Sequence, residues 1–217
     1  MYFKEKIMLI ASYNKETMGD ILITMIRPDA EEAKIEQKGS VVRIADAKTN
    51  ETTGFNFLNV SEIFEINGKG PITLTQEQVK QLNATLSANG FEAELVADER
   101  PKFVVGYVKS TKPHPDSDHL LITETEVDNG ETLQIVSGSP NMTDNIKVVV
   151  AKVGAIMPDG MIIWPGELRG VESNGMISSG RELHLNNAPQ KKGALILPDD
   201  FVVGEAFDFE KGNHIFD

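Results

Sequence analysis

Residues 168–185 read Leu-Arg-Gly-Val-Glu-Ser-Asn-Gly-Met-Ile-Ser-Ser-Gly-Arg-Glu-Leu-His-Leu, three glycines and three serines set among single aliphatics. Such a backbone turns repeatedly, with positive φ or close approach at Gly170, Gly175 and Gly180. The composition does not read as a core strand. Its sequence-level assignment is a surface connection folded back on a small barrel, with Met176 and Ile177 as the apolar pin that holds it there.

A barrel is what the surrounding sequence predicts. From Phe103 onward the apolar runs are short and bounded by Gly, Pro, Asn and Asp: Phe103–Lys109, then 119–127, 132–136, 146–153 and 161–164. No helical stretch intervenes, and five such strands fit an all-β OB-fold, a five-stranded Greek-key barrel. The first hundred residues read differently. Apolar runs at Ile7–Ala11 and Ile21–Ile26, flanking Ser12–Lys15 and Gly19–Asp20, predict an opening hairpin, and Val41–Ala45 and Gly54–Leu58 predict further strands. Thr75 and Gln78 resemble a capping box, followed by Val79, Leu82 and Leu86 at helical spacing and closed by Asn89-Gly90. The expectation is a small α+β domain over residues 1–98 and the OB-fold domain over 99–217, divided at the polar stretch that ends in Pro101.

Composition limits the chemistry. With no cysteine among 217 residues there is neither disulfide nor thiolate metal site. The longest apolar run falls short of the roughly 18 residues that a membrane helix needs, and Glu5 breaks the basic start of a signal peptide. A cytoplasmic protein with no membrane association is expected. His114, Asp116, Asp118 and His119 contain imidazole and carboxylate, the donors of zinc or manganese. The stronger reading is a turn in which Pro115 fixes φ and the Asp side chains bond nearby amides. Ser173, Ser178 and Ser179 lack a nucleophile elbow, so no enzyme and no cofactor or metal is expected.

Four segments together carry a family resemblance. Arg169-Gly170-x-x-Ser173-x-Gly175-Met176 with Ser179, Glu182 and Leu183 resembles the signature of the tRNA-binding OB domain found in several synthetases and free-standing tRNA-binding proteins. Val105-Gly106, His114-Pro115-Asp116-Ser117-Asp118-His119-Leu120 and Ile135-Val136-Ser137-Gly138-Ser139-Pro140-Asn141 resemble further motifs of that domain, in the same order. With the preceding helix-bearing unit, the chain resembles the YtpR-like group of bacterial proteins and the N-terminal part of the phenylalanyl-tRNA synthetase beta chain. The resemblance implies a non-catalytic protein that holds tRNA or another structured RNA by backbone and shape, and associates Asn141, Arg169, Ser173 and Met176 with RNA contact or with a dimer interface beside it. A homodimer through Leu195-Ile196-Leu197 and Phe207–Phe209 is weighed equally against a monomer in which these segments cover the barrel.

Two features work against RNA. His119 stands where the family often has Lys or Arg, which weakens a phosphate contact near neutral pH. Beyond Arg100 there are 10 basic against 17 acidic residues, net −7, and phosphate affinity requires local cations. RNA binding is therefore expected only if Lys109, Lys112, Lys152 and Arg169 converge beside Asn141, Ser173 and Met176. The alternative is a protein-interaction or dimerisation module that keeps the fold with little RNA affinity.

Overall fold

The computed structural model describes residues 8–217, in two compact units that divide between Arg100 and Pro101. The first is largely β. Strands β1 (Ile10–Tyr13), β2 (Ile21–Met25), β3 (Ala33–Lys38), β4 (Val41–Asp46), β5 (Thr52–Leu58) and β6 (Gly70–Ile72) form one antiparallel sheet in the order β3-β4-β5-β2-β1-β6. The connection between β1 and β2 carries a helical turn, α1 (Lys15–Met18), capped by the Asn14 side chain. Ile7 of the expected first strand lies outside the described residues.

Helix α2 (Gln76–Ala88) begins at the Thr75–Gln78 capping box, and its apolar stripe of Val79, Leu82 and Leu86 is buried against one face of this sheet. Leu22, Val41, Phe55 and Phe57 meet it there, fully buried. Each such aliphatic contributes about 1.5–3 kcal/mol relative to exposure, which outweighs the weak intrinsic propensity of the Asn, Thr and Ser within the helix. Among the described residues, one long helix and the short α1 turn beside six strands make the unit a sheet with a helical cover, more β than the sequence suggested.

In the second unit β7 (Phe103–Pro113), β8 (Leu121–Glu126), β9 (Thr132–Ser137), β10 (Ile146–Lys152) and β13 (Gly175–Ser178) form a curled antiparallel half-barrel, ordered β13-β10-β7-β8-β9. Strand β7 makes the bend. It pairs with β10 through its first half and β8 through its second, with a bulge at Lys109 between Val108 and Ser110 that turns the ladder. Gly106 lies where a Cβ would sit 2.6 Å from the Val150 side chain, so only glycine permits this approach.

The fifth strand corrects the sequence reading. Residues 161–164 contribute only an isolated bridge, Ile156 to Ile162, whereas Gly175–Ser178, assigned above to a surface connection, pairs with Val149–Lys152. Gly175 has a φ of 149° and a Cβ there would stand 3.1 Å from the Ala151 carbonyl oxygen, so the glycine that looked like a loop residue is what seats the strand.

Strand β10 is buried on both faces. Val148 and Val150 join Val104, Val108, Ile135 and Ile177 inside the curl, while Val149 and Ala151 pack under a second layer that includes Leu183, Leu185, Leu195, Leu197, Phe201 and Phe207. Leu195, Leu197 and Phe207 thus cover the unit's own sheet, leaving Ile196 and Phe209 at the surface.

Candidate functional site

The half-barrel's outer face is organised by a small hairpin, β11 (Gly166–Leu168) and β12 (Val171–Ser173). Its two central residues, Arg169 and Gly170, have φ of 48° and 76°, the signs of a type I′ turn. Glycine accepts that conformation freely. Arginine does so at a cost of about 1–2 kcal/mol, a local strain that the surroundings hold in place.

Two reciprocal bonds tie the hairpin to the His114–Leu120 turn. The buried His114 ring accepts at Nδ1 from the Asp116 backbone N–H (3.0 Å), which leaves the ring proton on Nε2, and Nε2–H donates to the Leu168 carbonyl (3.0 Å). Arg169 Nη1 donates to the Asp116 carbonyl at 2.9 Å. Both His114 nitrogens are committed to this staple, so the ring offers no lone pair to a metal, and no group of three metal-ligating side chains occurs among the described residues. Val171 packs on Leu120, Ile122 and Val136 beneath the hairpin. Ser173 Oγ accepts the Val136 N–H at 3.1 Å, and Gln134 Nε2 donates to the Glu172 carbonyl at 2.8 Å, fastening β12 to β9.

The strand register gives this face its side chains. Lys112, Ile122 and Val136 form one cross-strand row, and Ser110, Glu124 and Gln134 form the next. Lys112 therefore flanks the hairpin on the same face as Ile122, exposed and without a hydrogen bond or ion pair to any described residue. Lys109 is on this face too, but its ammonium is 2.6 Å from Glu126. His119 is exposed at the turn, 2.8 Å from Asp118. That hydrogen bond is the main reason the Asp118 carboxyl is held below its usual range, with the nearby Arg169 charge adding to it. The face is mixed in sign.

The remaining residues of the sequence-based set lie elsewhere. Lys152 is a correction: it is buried, with Nζ 2.6 Å from the buried Asp128 carboxylate, and a cation removed from water and matched to its own acid is withdrawn from the surface patch. Asn141 spends its side-chain amide on the backbone of Ala194, accepting from its N–H at 2.8 Å and donating to its carbonyl at 2.9 Å. Met176 packs half-buried against the outer layer over β10. Of the expected set, Arg169 and Ser173 belong to the hairpin and Lys112 to the cross-strand row of Ile122 and Val136, while Lys152, Asn141 and Met176 are held by other parts of the unit.

The trailing part of the signature has a structural explanation. Ser179 and Glu182 form a reciprocal box in which Ser179 N–H and Oγ donate to Glu182 Oε2 at 2.8 and 2.7 Å and Oγ accepts the Glu182 N–H at 3.2 Å. Leu183 then falls into the outer layer. Sequence reasoning passed over Arg181, inside this box, and Lys191 and Lys192, all exposed and without a bonded partner among the described residues. The adjacent Lys191-Lys192 pair in a Pro-Gln-Lys-Lys-Gly loop was the available signal.

Residues 103–206 match the family described as "Putative tRNA binding domain", and residues 28–98 match one described as "Domain of unknown function (DUF4479)". The chain is 48% identical over 200 residues to the Bacillus subtilis (strain 168) protein named "Putative tRNA-binding protein YtpR", covering 92% of this chain and 99% of that one. It is also 43% identical over 137 residues to the phenylalanine–tRNA ligase beta subunit of Rickettsia bellii, covering 61% of this chain but 15% of the ligase subunit. The corresponding subunit of Oceanobacillus iheyensis is 40% identical over 139 residues, with 61% of this chain and 17% of the subunit covered. At that identity over nearly the whole of both chains, the protein belongs to the YtpR family.

Proposed function

We propose that this protein is a non-catalytic cytoplasmic tRNA-binding protein, whose second unit is an OB-type Greek-key barrel gripping folded RNA by backbone and shape. The first unit, in this reading, is an accessory α+β domain. One observation carries the proposal: the two signature segments, separated in sequence, are fastened by His114 and Arg169 into one rigid outer surface. Arg169 gives a single hydrogen bond to a neutral carbonyl, so its charge is not cancelled by a bonded carboxylate and its other N–H groups are available to phosphate. The exposed Lys112 adds a second cation to that face. Lys109 and His119, each beside an acid, are weaker contributors, Ser173 serves by shaping the surface, and Asn141 and Met176 act only through the fold of the unit that carries it.

The second reading is a protein-contact or homodimerisation module, favoured by the neutralisation of Lys109 and Lys152 by acids in a unit of net −7. Titration of folded tRNA and an unstructured RNA of equal length at several salt concentrations separates the two. Folded tRNA is expected to bind more tightly, and Arg169→Ala to lower both affinity and salt slope by roughly one phosphate contact, about 0.7–0.9 in log–log slope. Absence of saturable binding by the parent protein at low salt rejects the RNA reading. Light scattering at micromolar concentration then decides whether the module pairs with itself.

A further inference from the structure

Residues 178–195 leave the sheet at Ser178 and return to it at Leu195, whose N–H donates to the Ser178 carbonyl at 3.0 Å. The excursion is braced from inside. Besides the Ser179–Glu182 box, Leu185 N–H donates to the Gly180 carbonyl at 3.0 Å, and Gln190 Nε2 donates to the Ala188 carbonyl at 3.1 Å. At Gly180 a Cβ would stand 3.2 Å from the Ala188 Cβ and 2.8 Å from the Phe216 ring, so the two limbs of the loop touch there. Asn141 clamps the returning limb at Ala194, and Asn186 N–H donates to Asn213 Oδ1 at 2.9 Å, fixing the loop to the C-terminal segment.

The charge on this braced loop runs against that of its unit. Between Ser178 and Leu195 stand Arg181, Lys191 and Lys192 against one acid, Glu182, a net of +2 within a unit of −7. Glu182 is turned inward to Ser179. All three cations are exposed and unbonded among the described residues, unlike Lys109, Lys152 and Lys211, each of which meets a carboxylate. Arg181 follows the Gly180–Ala188 contact by one residue and Lys191 follows it by three, within a chain reach of about 10 Å. Asp217 of the tail faces His214 at 2.6 Å and accepts from Asn187 Nδ2 of the loop at 3.4 Å. The loop also holds two non-glycine residues at positive φ, His184 at 53° and Asn187 at 56°, conformations that persist because the bracing over-determines them.

Resting on the tRNA-binding reading, we propose that this loop is a phosphate-contact element additional to the hairpin face, with Arg181, Lys191 and Lys192 engaging the RNA backbone. It answers the charge problem of an acidic binder: a braced loop presents uncommitted cations whose one local acid, Glu182, is bonded to Ser179. Phosphate contacts of this kind position without reading sequence.

The test is the salt dependence of tRNA binding for the full chain and for the triple variant Arg181→Gln, Lys191→Gln, Lys192→Gln. With three contacts removed the log–log slope is expected to become shallower by about 2–3, with at least a ten-fold loss of affinity at low salt and an unchanged melting temperature. Should the triple variant fail to fold, Lys191→Gln and Lys192→Gln singly are each expected to remove about 0.7–0.9 of slope, and Lys191→Arg with Lys192→Arg to retain it. A parent that binds tRNA and loses affinity with Arg169→Ala, but whose slope the loop variants leave intact, overturns this inference while the RNA reading stands. A parent with no saturable binding removes both.

Discussion

The hairpin over 166–173 and the loop over 178–195 are neighbours in sequence and differ in how they use their polar side chains. In the hairpin the polar side chains are structural. Arg169 bonds the Asp116 carbonyl, Ser173 takes the Val136 N–H, and the staple is completed by His114 on Leu168. In the loop the bracing falls to a serine, a glutamate and asparagines, and the cations are left over. The difference teaches that a signature residue is not thereby a contact residue: Ser173, Ser179 and Glu182 are spent on building the surface, whereas the exposed cations of the loop are not part of the signature's hydrogen bonding.

The comparison is broken most severely at a cation fully committed to structure. Lys152→Ala strands the buried Asp128 carboxylate, and we expect a loss of about 3–5 kcal/mol of stability by urea denaturation, against changes within about 0.5 kcal/mol for Lys191→Ala. The paired replacement Lys152→Met with Asp128→Leu is expected to recover most of that loss, because neither charge is then left alone. Equal effects for Lys152→Ala and Lys191→Ala would erase the distinction between committed and free cations. His114→Ala comes next. It removes two buried hydrogen bonds and opens a cavity beneath the hairpin, for an expected cost of about 2–4 kcal/mol. If the hairpin is positioned through His114, a double-mutant cycle with Arg169→Ala gives a coupling of at least about 0.5 kcal/mol, and additivity within error would mean that the two bonds act separately.

What the sequence showed and what it hid follow the same physical line. Helix α2 was legible because Val79, Leu82 and Leu86 repeat at helical spacing behind a capping box whose bonds are local. Strand β3 was not, because Ala-Lys-Ile-Glu-Gln-Lys is an edge strand exposed on both faces, with Ile35 at 69% relative exposure, and so has no alternation to read. The fifth barrel strand was hidden by Gly175 and Ser178, which resemble turn residues until the Ala151 carbonyl is seen to require the glycine. At the site, Arg169, Ser173, Ser179 and Glu182 stood out by resemblance alone, and the reciprocal box that Ser179 and Glu182 form became visible only in the fold. The burial of Lys152 could not be read, since its partner is 24 residues away and only the fold sets them 2.6 Å apart.

The smallest expected effect separates two adjacent serines where the sheet gives way to the loop. Ser179 Oγ both donates to and accepts from Glu182, so Ser179→Ala removes a cap and is expected to cost about 1 kcal/mol, with melting temperature falling. Ser178 is also buried, but its Oγ has no hydrogen-bond partner in the protein among the described residues. A desolvated hydroxyl without a partner costs about 1–3 kcal/mol, so Ser178→Ala is expected to leave stability unchanged or raise it by up to about 1 kcal/mol. Opposite signs for these neighbours would locate the start of the braced loop at Ser179. A clear loss for Ser178→Ala would instead mean that its hydroxyl is satisfied in solution, and that the bracing begins one residue earlier, inside β13.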